Sequence, residues 1–214
     1  MTTRNRKQLM TLYSDVQCPF SHQTRIVVQE KQIDCQIVDL VDGHWPEEVA
    51  SANPYAQGPT LFDRDIVIFH SRIIMEYLDE RFPHPSLMPN DPGARAQMRL
   101  MLHRLETDWF SMWPQLSGRD KSPATKAKKT LREDLTVLAP LFEQYDFLMS
   151  DEFSLIDCYV APLLWRLPHL EIKLPDSAKA VERYAEKIFN RNSKVFLKGS
   201  NSINLRKLSN HLIS

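Results

Sequence analysis

One cysteine of this 214-residue chain is placed where a thiol could act as a nucleophile. Cys18 is followed by Pro19, and proline suits the first position of a helix because an amide there would have no partner. Cys18 would then be the N-cap residue, facing free backbone amides and the positive end of the helix dipole. That environment lowers the pKa of a thiol and favours the thiolate. The sequence therefore predicts a reactive cysteine at the start of a helix.

The residue three positions after Cys18 restricts this chemistry. It is Ser21 and not a second cysteine, so dithiol exchange is unavailable and mixed-disulfide chemistry is what remains. Two interpretations stay open on these residues. Cys18 is either a catalytic thiol or a buried cysteine that has no substrate.

A second short pattern, Pro83-His84-Pro85, favours binding over catalysis. Two X-Pro steps favour an extended path, so we expect these residues on the surface in a linker. His70 and His103 are not at ligand spacing from His84, and we predict no metal site. A rigid loop loses little entropy when it binds, which suits contact with a partner. The alternative is that the prolines only stiffen the linker.

Composition limits the class of protein. Hydrophobic residues make up 43% and charged residues 25%, which is typical of a globular chain with its own core. Three scattered cysteines are too few for a disulfide framework or a zinc site, which favours a reducing cytoplasm. We expect no membrane segment, since no apolar run approaches roughly 20 residues. The basic, polar residues 1–8 predict no secretory signal.

Charge is divided unevenly along the chain. Residues 1–91 contain 8 basic and 13 acidic residues, and residues 92–214 contain 19 and 14. Such a difference in sign is typical of two domains with different surroundings. Because no basic block dominates, we expect no direct nucleic-acid binding.

The elements that must position these residues change in kind at the proline-rich segment. Before it, strand and helix patterns alternate in the order β-α-β-α-β-β-α. The strands are predicted at 9–13, 33–40, 60–62 and 66–69, and the helices at 21–31, 46–52 and 71–81. After it, the apolar spacing is helical throughout, at 94–112, 126–142, 155–167 and 178–190.

The third of these later helices is apolar on all sides, which indicates the centre of a domain. Ser154 and Asp157 precede and enter it at the spacing of a capping box. The last residues, 199–214, are polar with a weak amphipathic pattern.

This organisation resembles the glutathione transferase fold, and three places carry the resemblance. Gly58-Pro59-Thr60-Leu61 resembles the proline, normally preceded by a cis peptide, before that fold's third strand. His70-Ser71 stands where the fold has a Glu/Gln-Ser pair at a helix start. Residues 153–157 resemble the cap of its buried helix. The resemblance implies a thioredoxin-like domain at 8–83, a linker at 84–92, an all-helical domain at 93–198 and a tail at 199–214.

Longer runs resemble one family within this fold. Residues 71–85 and 151–168, together with Ser21-His22-Gln23 and 25–27, are similar to the stringent starvation protein A family, over roughly residues 8 to 195. That resemblance implies a cytoplasmic dimer that binds RNA polymerase holoenzyme and regulates transcription in starvation and stress, without catalysis and without a cofactor. It places Pro83, His84 and Pro85 in the polymerase-contacting patch. A homodimer is expected, with a heterodimer of paralogues as the alternative.

The second hypothesis is that the protein is an enzyme with the same fold. Residues 13–14, four before Cys18-Pro19-Phe20, resemble omega-type transferases, which implies a glutathione-dependent thiol transferase using Cys18. The glutathione site would use the backbone at Gly58 and Pro59 and the hydroxyl of Ser71 at a helix N-terminus. His70 departs from the usual pattern, because an imidazole lacks the geometry to pair an ammonium.

Overall fold

A computed structural model of the chain describes residues 9–40, 44–55 and 58–191. The chain forms two compact units, Met1–Pro85 and Ser86–Ser214. The predicted N-terminal segment 1–8 and the predicted tail 199–214 lie outside the described residues. Among the residues that are described, no helix is long and apolar enough to cross a membrane.

The N-terminal unit has the predicted order of elements. A sheet of order β2-β1-β3-β4 carries β2 parallel to β1, with β3 and β4 antiparallel to their neighbours. The strands are β1 Thr11–Asp15, β2 Gln36–Leu40, β3 Thr60–Asp63 and β4 Ile66–Phe69, and the helices are α1 Pro19–Glu30, α2 Glu47–Ala52 and α3 Ser71–Arg81.

The strand β2 begins three residues later than the apolar pattern predicts. The amide of Ile33 donates to the Val28 carbonyl at 2.9 Å and so closes the end of α1. Gln32 has φ 50° at the same place, which turns the chain. The residues between this turn and Gln36 are therefore used to leave the helix and are not available to the sheet.

The C-terminal unit is helical, as predicted. Its helices are α4 Pro92–Asp108, α5 Trp113–Leu116, α6 Lys121–Leu138, α7 Leu155–Arg166 and α8 Lys179–Arg191, with 3-10 turns at Phe110–Met112, Ala139–Glu143 and Asp176–Ala178. Helix α7 is buried along almost its whole length, which is what its uniformly apolar sequence predicts.

Two helix ends differ from the sequence prediction. The first long helix ends at Asp108, not at residue 112, and the chain continues through a 3-10 turn into α5. Helix α6 begins at Lys121 rather than 126 and ends at Leu138 rather than 142. Its end precedes Pro140, which lacks the amide that a further helical turn needs.

The predicted capping box of α7 is present. Asp157 Oδ2 accepts from the backbone amide of Ser154 at 2.8 Å, and the Ser154 side chain caps the helix in return. The same carboxylate accepts from the Leu148 amide at 3.0 Å and from the hydroxyl of Tyr184. The buried carboxylate thus ties the start of α7 to α8 and to the loop before it.

Candidate functional site

The strand register of the N-terminal unit brings three predicted segments to one end of the sheet. Thr60 of β3 pairs with Phe69 of β4 and with Tyr13 of β1. The residues just outside these pairs are therefore neighbours: Pro59 before β3, His70 after β4, and the end of β1 that leads to α1. The Gly58–Pro59 peptide is cis, as the resemblance implies.

Gly58 lies where no side chain would fit. A Cβ at this position would be 2.8 Å from Ser21 Oγ and 3.4 Å from the ring of Trp45. Ser21 Oγ is itself held, since it accepts from the Asp15 amide at 3.1 Å. The close approach of Gly58 to the first turn of α1 fixes the spacing between the cis peptide and the helix N-terminus.

Cys18 is the N-cap residue of α1 and Pro19 follows it, as predicted. The predicted lowering of its pKa is wrong: burial raises the pKa of the Cys18 thiol above its ordinary value. The amides of Phe20 and Ser21 oppose this rise, while the nearby charge of Asp15 adds to it. Desolvation outweighs the helix terminus because a thiolate loses more hydration there than the amides return. The Cys18 Sγ lies 3.9 Å from the Gly58 carbonyl oxygen, to which the thiol donates.

The protonated state of Cys18 predicts slow alkylation. Because the pKa of Cys18 is raised from 9.0, little thiolate exists near neutral pH. We expect iodoacetamide to modify Cys18 more slowly than it modifies free glutathione at about pH 7.5, with the rate at Cys18 rising as the pH increases. Peptide mass spectrometry measures the rate at Cys18 separately from the other cysteines. Alkylation as fast as that of a free thiol would contradict the raised pKa.

The hydroxyl of Ser71 is buried at the N-terminus of α3. Ser71 is 2% exposed, and its Oγ has no hydrogen-bond partner within the described part of the chain. Buried hydroxyls are normally paired, so this one is suited to a ligand oxygen such as a carboxylate. The preceding His70 has φ 75°, a backbone conformation that residues other than glycine rarely adopt. The strained residue and the unsatisfied hydroxyl thus stand side by side.

Pro83, His84 and Pro85 are all exposed, as predicted for the linker. We refer to these three residues as the 83–85 loop. It follows the end of α3, where the Phe82 amide donates to the Leu78 carbonyl at 3.0 Å. The loop lies in the N-terminal unit, whose last residue is Pro85.

Sequence reasoning missed a buried ion pair behind this loop. Lys31 Nζ lies 2.7 Å from Asp79 Oδ1, and Lys31 also donates to the Pro85 carbonyl oxygen. A lysine after a helix usually extends into solvent, so its position alone gives no signal. Asp79 follows the last apolar residue of α3, but its burial cannot be read from the local sequence, so its position gives no signal either.

No group of three histidine, cysteine, aspartate or glutamate side chains that could hold a metal ion occurs at residues 9–40, 44–55 or 58–191.

Comparison with known proteins defines the class first. The family model described as "Glutathione S-transferase, N-terminal domain" matches residues 8–80, and the model of the corresponding C-terminal domain matches residues 100–192. Among solved structures, an omega-class glutathione transferase of Trametes versicolor superposes with a TM-score of 0.76 at 21% identity, covering 89% of each chain. A tau-class enzyme of mango gives 0.78 at 20% identity, covering 97% of this chain and 100% of its own. These likenesses establish the glutathione transferase fold.

Curated relatives then define the family. The stringent starvation protein A homolog of Haemophilus ducreyi is 46% identical over 191 residues, covering 88% of this chain and 89% of that protein. The homolog of Coxiella burnetii is 43% identical over 189 residues, covering 88% and 90%. The chain belongs to the stringent starvation protein A family. Glutathione S-transferase omega-2 of Rattus norvegicus is also similar, at 33% over 171 residues, covering 74% of this chain and 66% of the enzyme.

Proposed function

We propose that this protein is an RNA polymerase-associated regulator of transcription in starvation and stress, acting in the cytoplasm as a dimer without catalysis. Its family membership supports this function, and the observation that carries the proposal is the exposed 83–85 loop. Two prolines flank one imidazole, so the backbone has little freedom to lose when a partner binds. The partner is RNA polymerase holoenzyme.

The chemistry around Cys18 supports a role without catalysis. A thiol transferase needs a thiolate at neutral pH, which requires a lowered pKa. Burial and the charge of Asp15 act in the opposite direction on Cys18. The fold is therefore used as a scaffold, and its thiol is kept protonated.

Exposed apolar side chains of the N-terminal unit support a dimer. Ile66 on β4 is 44% exposed, Ile73 on α3 is 49% exposed, and Tyr55 is 69% exposed. The Tyr55 ring packs edge-on against Phe69 at the end of the same edge strand, with centroids 5.6 Å apart. Exposed apolar side chains, and an edge strand that carries one of them, are stabilised when a second chain covers them. We propose a second copy of this chain as that partner, with a paralogue as the alternative.

The triple substitution Pro83→Ala/His84→Ala/Pro85→Ala tests the polymerase contact. We expect wild-type protein to co-elute with RNA polymerase holoenzyme in gel filtration and the triple variant to bind at least about tenfold more weakly. The three side chains are exposed, so the variant is expected to fold. A triple variant that co-elutes like wild type would overturn the role of the loop. Absence of wild-type co-elution at micromolar concentration would overturn the proposed function.

A glutathione-dependent thiol transferase is the second candidate, and Ser71 favours it. A buried, unsatisfied hydroxyl at a helix N-terminus suits a carboxylate ligand such as that of glutathione. The similarity to an omega-2 transferase points the same way. This candidate requires glutathione-dependent thiol transfer that disappears in Cys18→Ala. That result, obtained together with no polymerase binding, would replace the first proposal.

A further inference from the structure

We propose that Lys31 is a positioning residue for the 83–85 loop, an inference that rests on the function proposed above. The Lys31 ammonium donates to the Pro85 carbonyl oxygen at one end of the loop. It lies 2.7 Å from Asp79 Oδ1, with the side chain of Lys31 0% exposed and that of Asp79 5% exposed. A charged group inside the unit thus holds a backbone group of the exposed loop.

Burial makes this contact stronger than a surface contact of the same geometry. An ammonium loses its hydration when buried and is retained only where acceptors replace the water. Asp79 supplies the opposite charge, and the Pro85 carbonyl is a second acceptor for the three N–H groups of Lys31. A hydrogen bond from a charged donor is about twice as strong as a neutral one.

The contact from Lys31 to the Pro85 carbonyl fixes the C-terminal end of the 83–85 loop. The first end is fixed by the Phe82 amide, which donates to the Leu78 carbonyl as α3 ends. Between these ends, only His84 lacks a ring that locks φ. The anchored loop therefore presents the imidazole of His84 on a backbone of one conformation. Without Lys31, the loop keeps its residues and loses the hold on Pro85.

Two variants separate positioning from the stability of the ion pair. Lys31→Met/Asp79→Leu replaces the pair with apolar groups of similar size. It removes both charges of the pair together, which is commonly neutral for stability. It also removes the donor to Pro85. Asp79→Asn breaks the same ion pair but leaves Lys31 in place to donate to Pro85. If Lys31 contributed only to stability, a double variant with the melting temperature of wild type would also have a loop as ordered as that of wild type.

Backbone ¹⁵N relaxation of the His84 and Ser86 amides measures the loop directly. We expect order parameters of about 0.85 in the wild type and in Asp79→Asn, and below about 0.6 in Lys31→Met/Asp79→Leu. Unchanged order parameters in the double variant would overturn the positioning role, whatever the polymerase result.

Affinity for RNA polymerase holoenzyme then links position to function. We expect the double variant to bind at least about tenfold more weakly than wild type, and Asp79→Asn to bind within about threefold of wild type. Wild-type affinity in a double variant whose loop is mobile would overturn the link to binding. If wild-type protein itself binds no polymerase, the proposed function fails, and the order parameters still decide whether Lys31 positions the loop.

Discussion

Replacing Asp157 by alanine is expected to destabilise the C-terminal unit by about 4 kcal/mol. The buried carboxylate accepts from the Leu148 amide, the Ser154 amide and the Tyr184 hydroxyl. Each buried donor left without a partner costs about 1–3 kcal/mol. Burial raises the pKa of Tyr184 well above its ordinary value, so its hydroxyl stays a donor throughout the accessible pH range. Chemical denaturation of the variant measures the loss.

Asp151→Ala is the matched control for this substitution. Asp151 lies in the loop before α7, is exposed, and accepts from the Asp146 amide at 3.2 Å. Because solvent can replace that contact, its loss is expected to cost less than about 1 kcal/mol. Equal effects at Asp157 and Asp151 would show that the capping network contributes little to the fold.

Replacing Lys31 alone by methionine is expected to cost about 3–5 kcal/mol in the free energy of unfolding. The substitution removes the Lys31 ammonium from the buried Asp79 carboxylate and from the Pro85 carbonyl. In Lys31→Met/Asp79→Leu, most of this loss is expected to be recovered, because both charges of the pair are removed together. Thermal unfolding should show a melting temperature lowered by about 10 °C in the single variant.

Lys187→Met provides the comparison for a surface ion pair. Lys187 Nζ lies 2.6 Å from Asp146 Oδ1, with both side chains partly exposed. Such pairs contribute about 0–1 kcal/mol, since water screens them and both side chains lose freedom. A Lys31→Met effect as small as that of Lys187→Met would contradict the buried character of the Lys31–Asp79 pair.

The fold follows from local patterns in the sequence. Alternating and helical apolar spacing predicted the order β-α-β-α-β-β-α and a helical second half, and both are confirmed. The capping box of Ser154 and Asp157 was also predictable, because its two residues are three apart in sequence. Helix ends were less predictable, since the 3-10 turns after α4 and α6 continue the apolar spacing of the helices before them.

The site was predictable only as far as local sequence determines it. The N-cap position of Cys18 and the cis peptide before Pro59 follow from adjacent residues and the resemblance. The pKa of Cys18 did not, because the sequence gives the helix terminus and not the depth of burial. The contact from Lys31 to Pro85 spans 54 positions, so no local pattern indicates it. At Cys18 and at Lys31, the missing information is how residues distant in sequence bury the side chain.

The most direct test of whether this protein acts by binding and not by thiol chemistry is a titration of RNA polymerase holoenzyme. Three proteins are compared: wild type, Cys18→Ala and the triple variant Pro83→Ala/His84→Ala/Pro85→Ala. We expect Cys18→Ala to bind within about twofold of wild type and the triple variant to bind at least about tenfold more weakly. Loss of binding in Cys18→Ala together with full binding by the triple variant would show that the protein does not act through the 83–85 loop.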